Sequence, residues 1–153
     1  MYEASVGHNS QALIGLGIPP NGSMVGTAQG GALSGLGTYI AGCYGSPILT
    51  TSGSGSLFTL VPSAPVSVDR IASSEDQSSG QLVRGWTLSL LLENGTTIVA
   101  DAGPSIGHKK ISVLPEALTV AMATLNITAA TAVPRIAQFA LFGGCDALAS
   151  SLS

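Results

Sequence analysis

The residues best suited to do chemistry lie in one short stretch, between Asp101 and His108. GPSIG at 103–107 has the G-x-S-x-G spacing that presents a serine nucleophile, here Ser105, and His108 follows it at once. That pattern needs a strand, a sharp turn and then a helix, so that the serine hydroxyl is raised beside an oxyanion hole. The next residues, HKKISV, favour another strand. We therefore predict a tight turn between strands and no catalytic residue, with hydrolysis by Ser105 as the enzymatic alternative.

The histidines and cysteines show no metal-binding pattern. His8 and His108 have no Cys, His or carboxylate partner at the spacing of a zinc site. Cys43 and Cys145 stand among small residues, in IAGCYG and FGGCDA, where no neighbouring base or cation favours a thiolate. Two thiols alone imply no disulfide framework. The sequence predicts buried free thiols that serve packing, no metal site and no cofactor.

Three asparagines begin N-x-S/T sequons, in NGS (21–23), NGT (94–96) and NIT (126–128). Such sequons accept glycans only in a secretory pathway. The first residues, MYEASVGHNSQ, do not resemble a secretory signal, because Glu3 stands in place of a basic segment and no apolar core of about 7–15 residues follows. The sequence thus argues against glycosylation.

Charge is scarce in this chain, and that scarcity is its strongest compositional signal. Of 153 residues, 8% are charged, against about 25% in a typical soluble domain, while the hydrophobic fraction of 45% is ordinary. No Lys, Arg, Asp or Glu occurs from Ala4 to Val68. A free monomer normally carries roughly 25–35% charged residues on its surface. We predict that much of the surface, above all residues 4–68, is covered by another molecule.

Nucleic acid and lipid are poor candidates for that cover. The formal net charge is −3, and of the five basic residues only Lys109 and Lys110 are adjacent, whereas phosphate binding needs a clustered basic face. Glycines from Gly22 to Gly30 recur at the four-residue spacing of packed membrane helices. Residues 24–43 nevertheless contain several polar side chains and lack basic flanks, which disfavours a membrane span. We predict a protein partner, with a membrane-associated glycine-zipper protein as an alternative.

The chain divides by composition into two regions that together make one structural unit. Residues 1–66 form a Gly-rich, uncharged arm or assembly segment, and residues 67–153 form a β-rich domain. IPPNGS (18–23) predicts a turn. SLFTLVPSAPVSVDRI (56–71) predicts strands that end at its prolines, and ASSEDQSSGQ (72–81) predicts a solvated loop.

The clearest local signal is WTLSLLLENGTTIVADAG (86–103), which predicts a β-hairpin. Asn94-Gly95 fits a two-residue type I′ turn, and the resulting register pairs Leu91 with Ile98. Both faces of the hairpin then carry apolar residues, so we expect it to be covered on both sides.

The remainder of the chain favours strands with small residues between large ones. PEALTVAMATL (115–125) fits either a strand or a helix that starts at Pro115, and periodicity alone leaves both open. The predicted fold is mainly β, a β-sandwich or jelly-roll-like domain with a long Gly-rich N-terminal arm.

The combination of SVGHNSQ near the N-terminus, the uncharged segment 4–68 and the β-rich remainder resembles small structural proteins of bacteriophage virions, of the capsid decoration or cement type. The resemblance implies a virion component that has no catalytic residues and binds copies of itself and a major capsid protein. A tail-tube or connector subunit is the alternative of the same class.

Overall fold

The computed structural model describes residues 1–151 and shows a mainly β protein, which confirms the predicted sandwich-like class. In chain order its helices and strands are α1 Tyr2–Ser5, α2 Ala28–Tyr44, β1 Leu49–Ser54, β2 Leu57–Leu60, β3 Val66–Glu75, β4 Val83–Leu92, β5 Thr97–Gly103, β6 Lys110–Ala130, β7 Arg135–Phe142 and α3 Cys145–Ser151. A short 3-10 turn, Gln77–Ser79, connects β3 to β4.

The strands pair antiparallel in the order β1-β7-β3-β6-β4-β5, and β2 also lies beside β6. The 21 residues of β6 let it serve both parts of the sheet. Its first half pairs with β3, and its second half pairs with β4 and β2. Apolar side chains from both parts meet in one core, among them Ile71, Phe139, Leu88, Leu90 and Leu125. Burial of these side chains is the main force that holds the two parts together.

Residues 115–125, which fitted strand or helix equally well, lie in the strand β6. Pro115 has no N–H to donate, and it sits where the pairing of β3 with β6 is irregular. Further along, the buried residues Ala123, Leu125 and Ile127 alternate with less buried ones, which is the period of a half-covered strand. Neighbouring strands on both edges decide the conformation that the local pattern left open.

The predicted β-hairpin is present as β4 and β5, but its register differs by one residue from the prediction. Leu91 pairs with Thr97, and the backbone N–H of Leu92 donates to the carbonyl oxygen of Thr96 at 2.8 Å. The loop therefore has three residues and ends at Gly95, whose φ of 83° lies in the left-handed region. A three-residue hairpin loop places glycine at that position, whereas the predicted loop has two residues.

The prediction that both faces of this hairpin are covered is wrong. Leu90 is fully buried, whereas Leu91 is only partly buried and Val99 is 66% exposed. The hairpin therefore packs on the core with one face and leaves the other toward solvent, as antiparallel sheets commonly do.

The polar run 72–81, predicted as a solvated loop, begins inside β3, and its residues up to Glu75 are largely buried. The Glu75 carboxylate accepts hydrogen bonds from the backbone N–H groups of Leu82 at 2.9 Å, Val83 at 3.1 Å and Gly107 at 2.8 Å. These donors offset the cost of burying the charge. The prediction failed because the donors lie outside the run, and sequence pattern does not reveal them.

The Gly-rich segment contains a helix, α2, where the sequence predicted an irregular arm. Thr27 caps it, with its side-chain oxygen accepting from the backbone N–H of Gly30 at 3.0 Å. Five glycines within the 17 residues each weaken the helix by about 1 kcal/mol relative to Ala. Tertiary contacts offset that cost: an added Cβ on Gly42 would lie 2.6 Å from the Leu148 side chain of α3. The contact with α3 thus supports the C-terminal end of α2, where Cys43 is the buried residue of the helix.

Residues 10–19 have no helix or strand, and the predicted turn in IPPNGS is confirmed by a 2.8 Å hydrogen bond from the Gly22 N–H to the Pro19 carbonyl. β1 and β2 precede residue 66 and pair with β7 and β6. The division into an arm and a β-rich domain at residue 66 stays a prediction. Within residues 1–151, none of the helices is long and apolar enough to cross a membrane.

Candidate functional site

Cys43 and Cys145 form a disulfide, so the predicted free thiols are wrong. The bond joins the end of α2 to the start of α3, with 5.0 Å between the two Cα atoms and 102 residues between the cysteines in sequence. Both cysteines are buried. Small neighbours allow this approach, because Gly42 leaves room for the Leu148 side chain. The small residues around Cys43 and Cys145, from which the sequence predicted free thiols that only pack, therefore lie at a contact between two helices.

A charged cluster lies beside the disulfide, centred on the buried side chain of Arg70 in β3. Its Nη2 lies 2.6 Å from Asp146 Oδ1 at the start of α3, and its Nε lies 3.8 Å from Glu3 Oε1 in α1. Asp69 Oδ2 accepts from the backbone N–H of Asp146 at 3.1 Å. Burial lowers the pKa of Arg70, but the hydrogen bond and the charge of Asp146, with smaller effects of Tyr39 and Asp69, outweigh burial, so the pKa lies above its ordinary value. The cluster therefore joins three elements through a permanently charged guanidinium.

Glu3 is the meeting point of α1 and α2. Its Oε1 accepts hydrogen bonds from the hydroxyls of Tyr39 and of Tyr44, the latter at 3.0 Å. Burial raises the pKa of the Glu3 carboxyl, but hydrogen bonds from Tyr39, the backbone and Tyr44, together with the charge of Arg70, lower it. The lowering effects win, so the Glu3 pKa lies below its ordinary value of 4.5. Glu3 is thus held ionised, which suits fastening and does not suit general-acid chemistry.

An open cavity of about 640 Å³ lies against this cluster. Glu3, Tyr39 and Arg70 line its polar side, and small residues of α2, including Gly31 and Gly35, line the other. Carboxylate, phenol and guanidinium groups together offer donors and acceptors to a polar ligand. In this structure the same groups are already joined to one another. The arrangement therefore fixes the helices to the sheet.

A second cavity, of about 220 Å³, brings together residues that stood out in the sequence. His8, Ser105 and Lys110 line it together with Trp86. Lys110 Nζ lies 3.1 Å from Asp101 Oδ2 and 5.9 Å from the centre of the Trp86 ring. The ammonium group of Lys110 in the lining of this cavity is thus already paired.

Ser105 lies in the connection between β5 and β6, and β6 follows it directly without a helix. Its carbonyl oxygen accepts from Trp86 Nε1 at 2.9 Å. The nucleophile pattern needs a helix after the serine. The geometry around Ser105 is therefore that of a strand connection.

Asn9 forms a clamp between the N-terminal segment and this connection. Its φ of 59° is left-handed, a conformation that Asn tolerates better than most residues. Its backbone N–H donates to Lys109 O at 2.9 Å, and its Oδ1 accepts from the backbone N–H of His108 at 2.7 Å. Gly107 leaves room for the Asn9 side chain, where a Cβ would collide with its amide. Asn9 lies in the segment SVGHNSQ, whose sequence gives no signal for this role.

In the part of the chain that the structure describes, no three His, Cys, Asp or Glu side chains form a metal-ligand group. His8 Nδ1 lies 2.8 Å from the carbonyl oxygen of Glu3, and His108 is exposed in the connection before β6.

The surface that residues 11–36 form, here called the N-terminal face, is apolar and exposed. Leu13 is 93% exposed, Val25 91% and Ile18 75%. Within this face, a cavity of about 170 Å³ lies between residues 14–16 and α2 and is lined mainly by apolar side chains such as Leu16 and Leu36. Contiguous exposed apolar surface of this kind usually marks an interaction site.

Comparison with known proteins gives matches of fold. No model of a known protein family matches this sequence, and no curated protein matches it. The chain superposes on a "putative alpha-L-fucosidase" from Bacteroides thetaiotaomicron with a TM-score of 0.85 and 27% identity, over 93% of this chain and 32% of that one. A glycoside hydrolase 29 family member from a rumen bacterium gives a TM-score of 0.79 and 20% identity, over 92% and 27% of the two chains. A GH29 fucosidase from Ruminococcus gnavus, solved with fucose, gives 0.74 and 18%, over 92% and 35%.

This chain therefore spans between 27% and 35% of the length of these three structures. The match covers 93% of the 153 residues, which leaves about 11 residues unmatched. The segment from residue 1 to the end of α2 has 44 residues, so most of it must lie within the match. Most of the N-terminal face and α2 thus belongs to the shared fold.

These matches overturn the predicted relation to bacteriophage virion proteins. The three structures compared above are described as α-L-fucosidases or family 29 glycoside hydrolases. None of these three is a capsid, tail or connector protein. The predicted virion function, virion location and non-enzymatic class are therefore wrong, as is the membrane alternative. The error has a physical source: scarce charge indicates a covered surface, but it does not identify what covers it. That the cover is protein stays a prediction.

Proposed function

We propose that this chain is the β-sandwich part of a glycoside hydrolase that cleaves α-L-fucosides. The observation that carries the proposal is the superposition on the Bacteroides thetaiotaomicron protein, at a TM-score of 0.85 and 27% identity over 93% of this chain. The two family 29 neighbours support the same class at lower identity. The activity is proposed for the whole enzyme to which this domain belongs.

The exposed apolar residues of the N-terminal face support this proposal. Leu13, Ile18 and Val25 are almost fully exposed, although burial of such side chains is favourable by about 1.5–3 kcal/mol each. The matching structures contain about three times as much chain, and most of the N-terminal face lies in the region that they share. We infer that the remainder of the enzyme covers this face. The uncharged segment that the sequence predicts to be covered would then be covered by the rest of the enzyme and not by virion proteins.

The charged cluster and the disulfide give that interface a rigid base. Arg70 joins α1 and α3 to β3, and the Cys43–Cys145 bond joins α2 to α3. A surface that is held in place before docking loses less conformational entropy when it binds. We propose that these contacts present the N-terminal face to the rest of the enzyme.

A chimera tests this function. The segment of the Bacteroides thetaiotaomicron protein that this chain matches, 32% of its length, is replaced by residues 1–153, and hydrolysis of 4-nitrophenyl α-L-fucoside is compared with that of the parent enzyme. We expect a folded chimera that hydrolyses the α-L-fucoside and spares the corresponding β-galactoside. A monodisperse chimera that is inactive where the parent is active would overturn the proposal.

Matched substitutions test the interface separately. Leu13→Asp places a charge on the N-terminal face, and Val133→Asp places the same charge on an exposed residue, 68% accessible, between β6 and β7. Burying an unpaired charge costs several kcal/mol, so we expect Leu13→Asp to lower the activity of the chimera by on the order of tenfold or more and Val133→Asp to leave it unchanged. In the isolated chain both substitutions should change stability by less than about 0.5 kcal/mol. Equal activity of the two chimeras would show that this face is not the interface.

A further inference from the structure

Three of the four asparagines in this chain head an N-x-S/T sequon, and the three lie in different settings. Asn94 is at the tip of the β4–β5 hairpin, Asn21 is in the turn before α2, and Asn126 is inside β6. Sequons that carry glycans lie on exposed surface, usually in loops. The structure therefore distinguishes three sites that the motif alone treats alike.

Asn94 has the geometry of an accessible acceptor. It lies in the three-residue loop and is exposed, as are Gly95 and Thr96. Its Oδ1 accepts from the backbone N–H of Thr96 at 2.9 Å, which fixes the side chain in an Asx turn over its own sequon. None of the side-chain hydrogen bonds described for residues 1–151 uses Asn94 Nδ2. The amide nitrogen, which is the atom that bonds to a glycan, is thus unengaged.

The hairpin tip is also remote from the point where the N-terminal segment joins the sheet. The Glu93 N–H donates to Thr119 O at 3.0 Å, whereas His8 bridges to Lys110 at the start of β6. Those two points on β6 are nine residues apart, about 30 Å along an extended strand. A bulky group on Asn94 therefore lies far from the point where the N-terminal segment joins the sheet.

The other two sequons fit a glycan less well. Asn21 forms a similar turn, with its Oδ1 accepting from the Ser23 N–H at 3.1 Å, but it belongs to the N-terminal face that we propose is covered. Asn126 pairs with Leu57 of β2 on one side and with Thr87 of β4 on the other, so it has no turn. Asn94 is the site that the observations favour.

The disulfide supplies independent evidence on the compartment. Disulfides form and persist in oxidising environments such as the secretory pathway and are rare in the cytosol. The Cys43–Cys145 bond is buried and contains no sequon residue, so it bears on where the chain folds and not on which asparagine is modified. N-linked glycans are added in the secretory pathway, which is such an oxidising environment. The prediction against glycosylation was made from the first residues alone, with both thiols taken to be free, and the disulfide removes that second premise.

We propose that Asn94 is an N-glycosylation site and that the chain folds in a secretory compartment. In the transfer, Asn94 Nδ2 forms a bond to the anomeric carbon of an oligosaccharide carried on a lipid diphosphate. The bond between that carbon and the diphosphate oxygen breaks, the lipid diphosphate leaves with the electron pair, and Nδ2 loses one proton.

Trypsin separates the sequons and makes a direct test feasible. Cleavage after Arg84 and Lys109 yields peptide 85–109 with Asn94 as its one asparagine, and cleavage after Lys110 and Arg135 yields peptide 111–135 with Asn126. Protein purified from its source is treated with peptide-N-glycosidase in ¹⁸O-water, which converts each glycan-bearing Asn to a labelled Asp. A mock digestion without the glycosidase measures spontaneous deamidation, to which the Asn94-Gly95 pair is prone.

We expect the label on peptide 85–109 above the mock level and its absence from peptide 111–135. Thr96→Ala, expressed in the same source, should abolish the label, and Thr96→Ser, which keeps the hydroxyl, should retain it. Both replacements are at the exposed residue Thr96, so we expect both variants to fold like the wild type. Peptide 85–109 with unmodified Asn94 in the native protein, or a label that survives Thr96→Ala, would overturn the proposal.

Discussion

Removing the Glu75 carboxylate should destabilise the domain strongly, although the sequence around it looks like a polar loop. The side chain is 5% exposed and accepts from three backbone N–H groups, those of Leu82, Val83 and Gly107. A buried donor left without a partner costs about 1–3 kcal/mol. Because the end near Leu82 is only partly buried, water can satisfy some of the loss, so we expect Glu75→Ala to lower the free energy of unfolding by about 3–6 kcal/mol.

Urea denaturation, followed by tryptophan fluorescence, measures this loss directly. Glu75→Gln keeps the shape and one carbonyl acceptor but turns an NH₂ group toward at least one of the N–H donors, so we expect a smaller loss of about 1–3 kcal/mol. Glu93→Ala, at the exposed hairpin tip, is the control and should change stability by less than about 0.5 kcal/mol. If Glu75→Ala were as mild as Glu93→Ala, the carboxylate would not hold these connections and the reasoning would fail.

Three further predictions concern the core, the pH response and the disulfide. Leu90→Ala should cost about 2–5 kcal/mol because Leu90 is fully buried, and Leu91→Ala should cost clearly less in the same urea titration; equal losses would contradict the one-sided packing. The lowered pKa of Glu3 stabilises the fold above its unfolded value near 4.5, and this contribution is lost as the pH falls through the lower folded value. Glu3→Gln should therefore flatten the acid side of the stability curve, and an unchanged curve would refute this role. Replacing Cys43 and Cys145 by Ser should lower stability by about 2–5 kcal/mol, while reductant should destabilise the wild type and leave the double variant unaffected.

The sequence predicted the β elements well where local signals agree. Prolines at 62 and 65 separate β2 from β3, and Asn94-Gly95 marks the β4–β5 turn. The register of that hairpin was wrong by one residue because loop length depends on the backbone of Gly95, and a two-residue and a three-residue loop share the same sequence signal. Local patterns thus locate strands but do not fix how they pair.

The features that depend on distant residues were not predictable in this way. The partners of Arg70 are Glu3 and Asp146, which are 67 and 76 residues away in sequence, and the two cysteines are 102 residues apart. Helix α2 was missed because its glycines disfavour a helix locally, while its support comes from α3 and the disulfide. Tertiary contacts of this kind override propensity, and one sequence without its fold does not reveal them.

The position of the disulfide also determines how the chain responds to cutting. All the strands described here, from Leu49 to Phe142, lie between Cys43 and Cys145, so the bond closes a covalent ring around the whole sheet. A protease that nicks the exposed hairpin tip leaves two pieces that remain covalently joined through the disulfide. A nick in residues 10–26, outside the ring, releases a fragment that only non-covalent contacts retain, among them the Glu3–Tyr44 hydrogen bond and the hydrogen bonds of Asn9. A single cleavage in the sheet therefore releases no fragment, whereas a single cleavage in residues 10–26, part of which belongs to the N-terminal face, does.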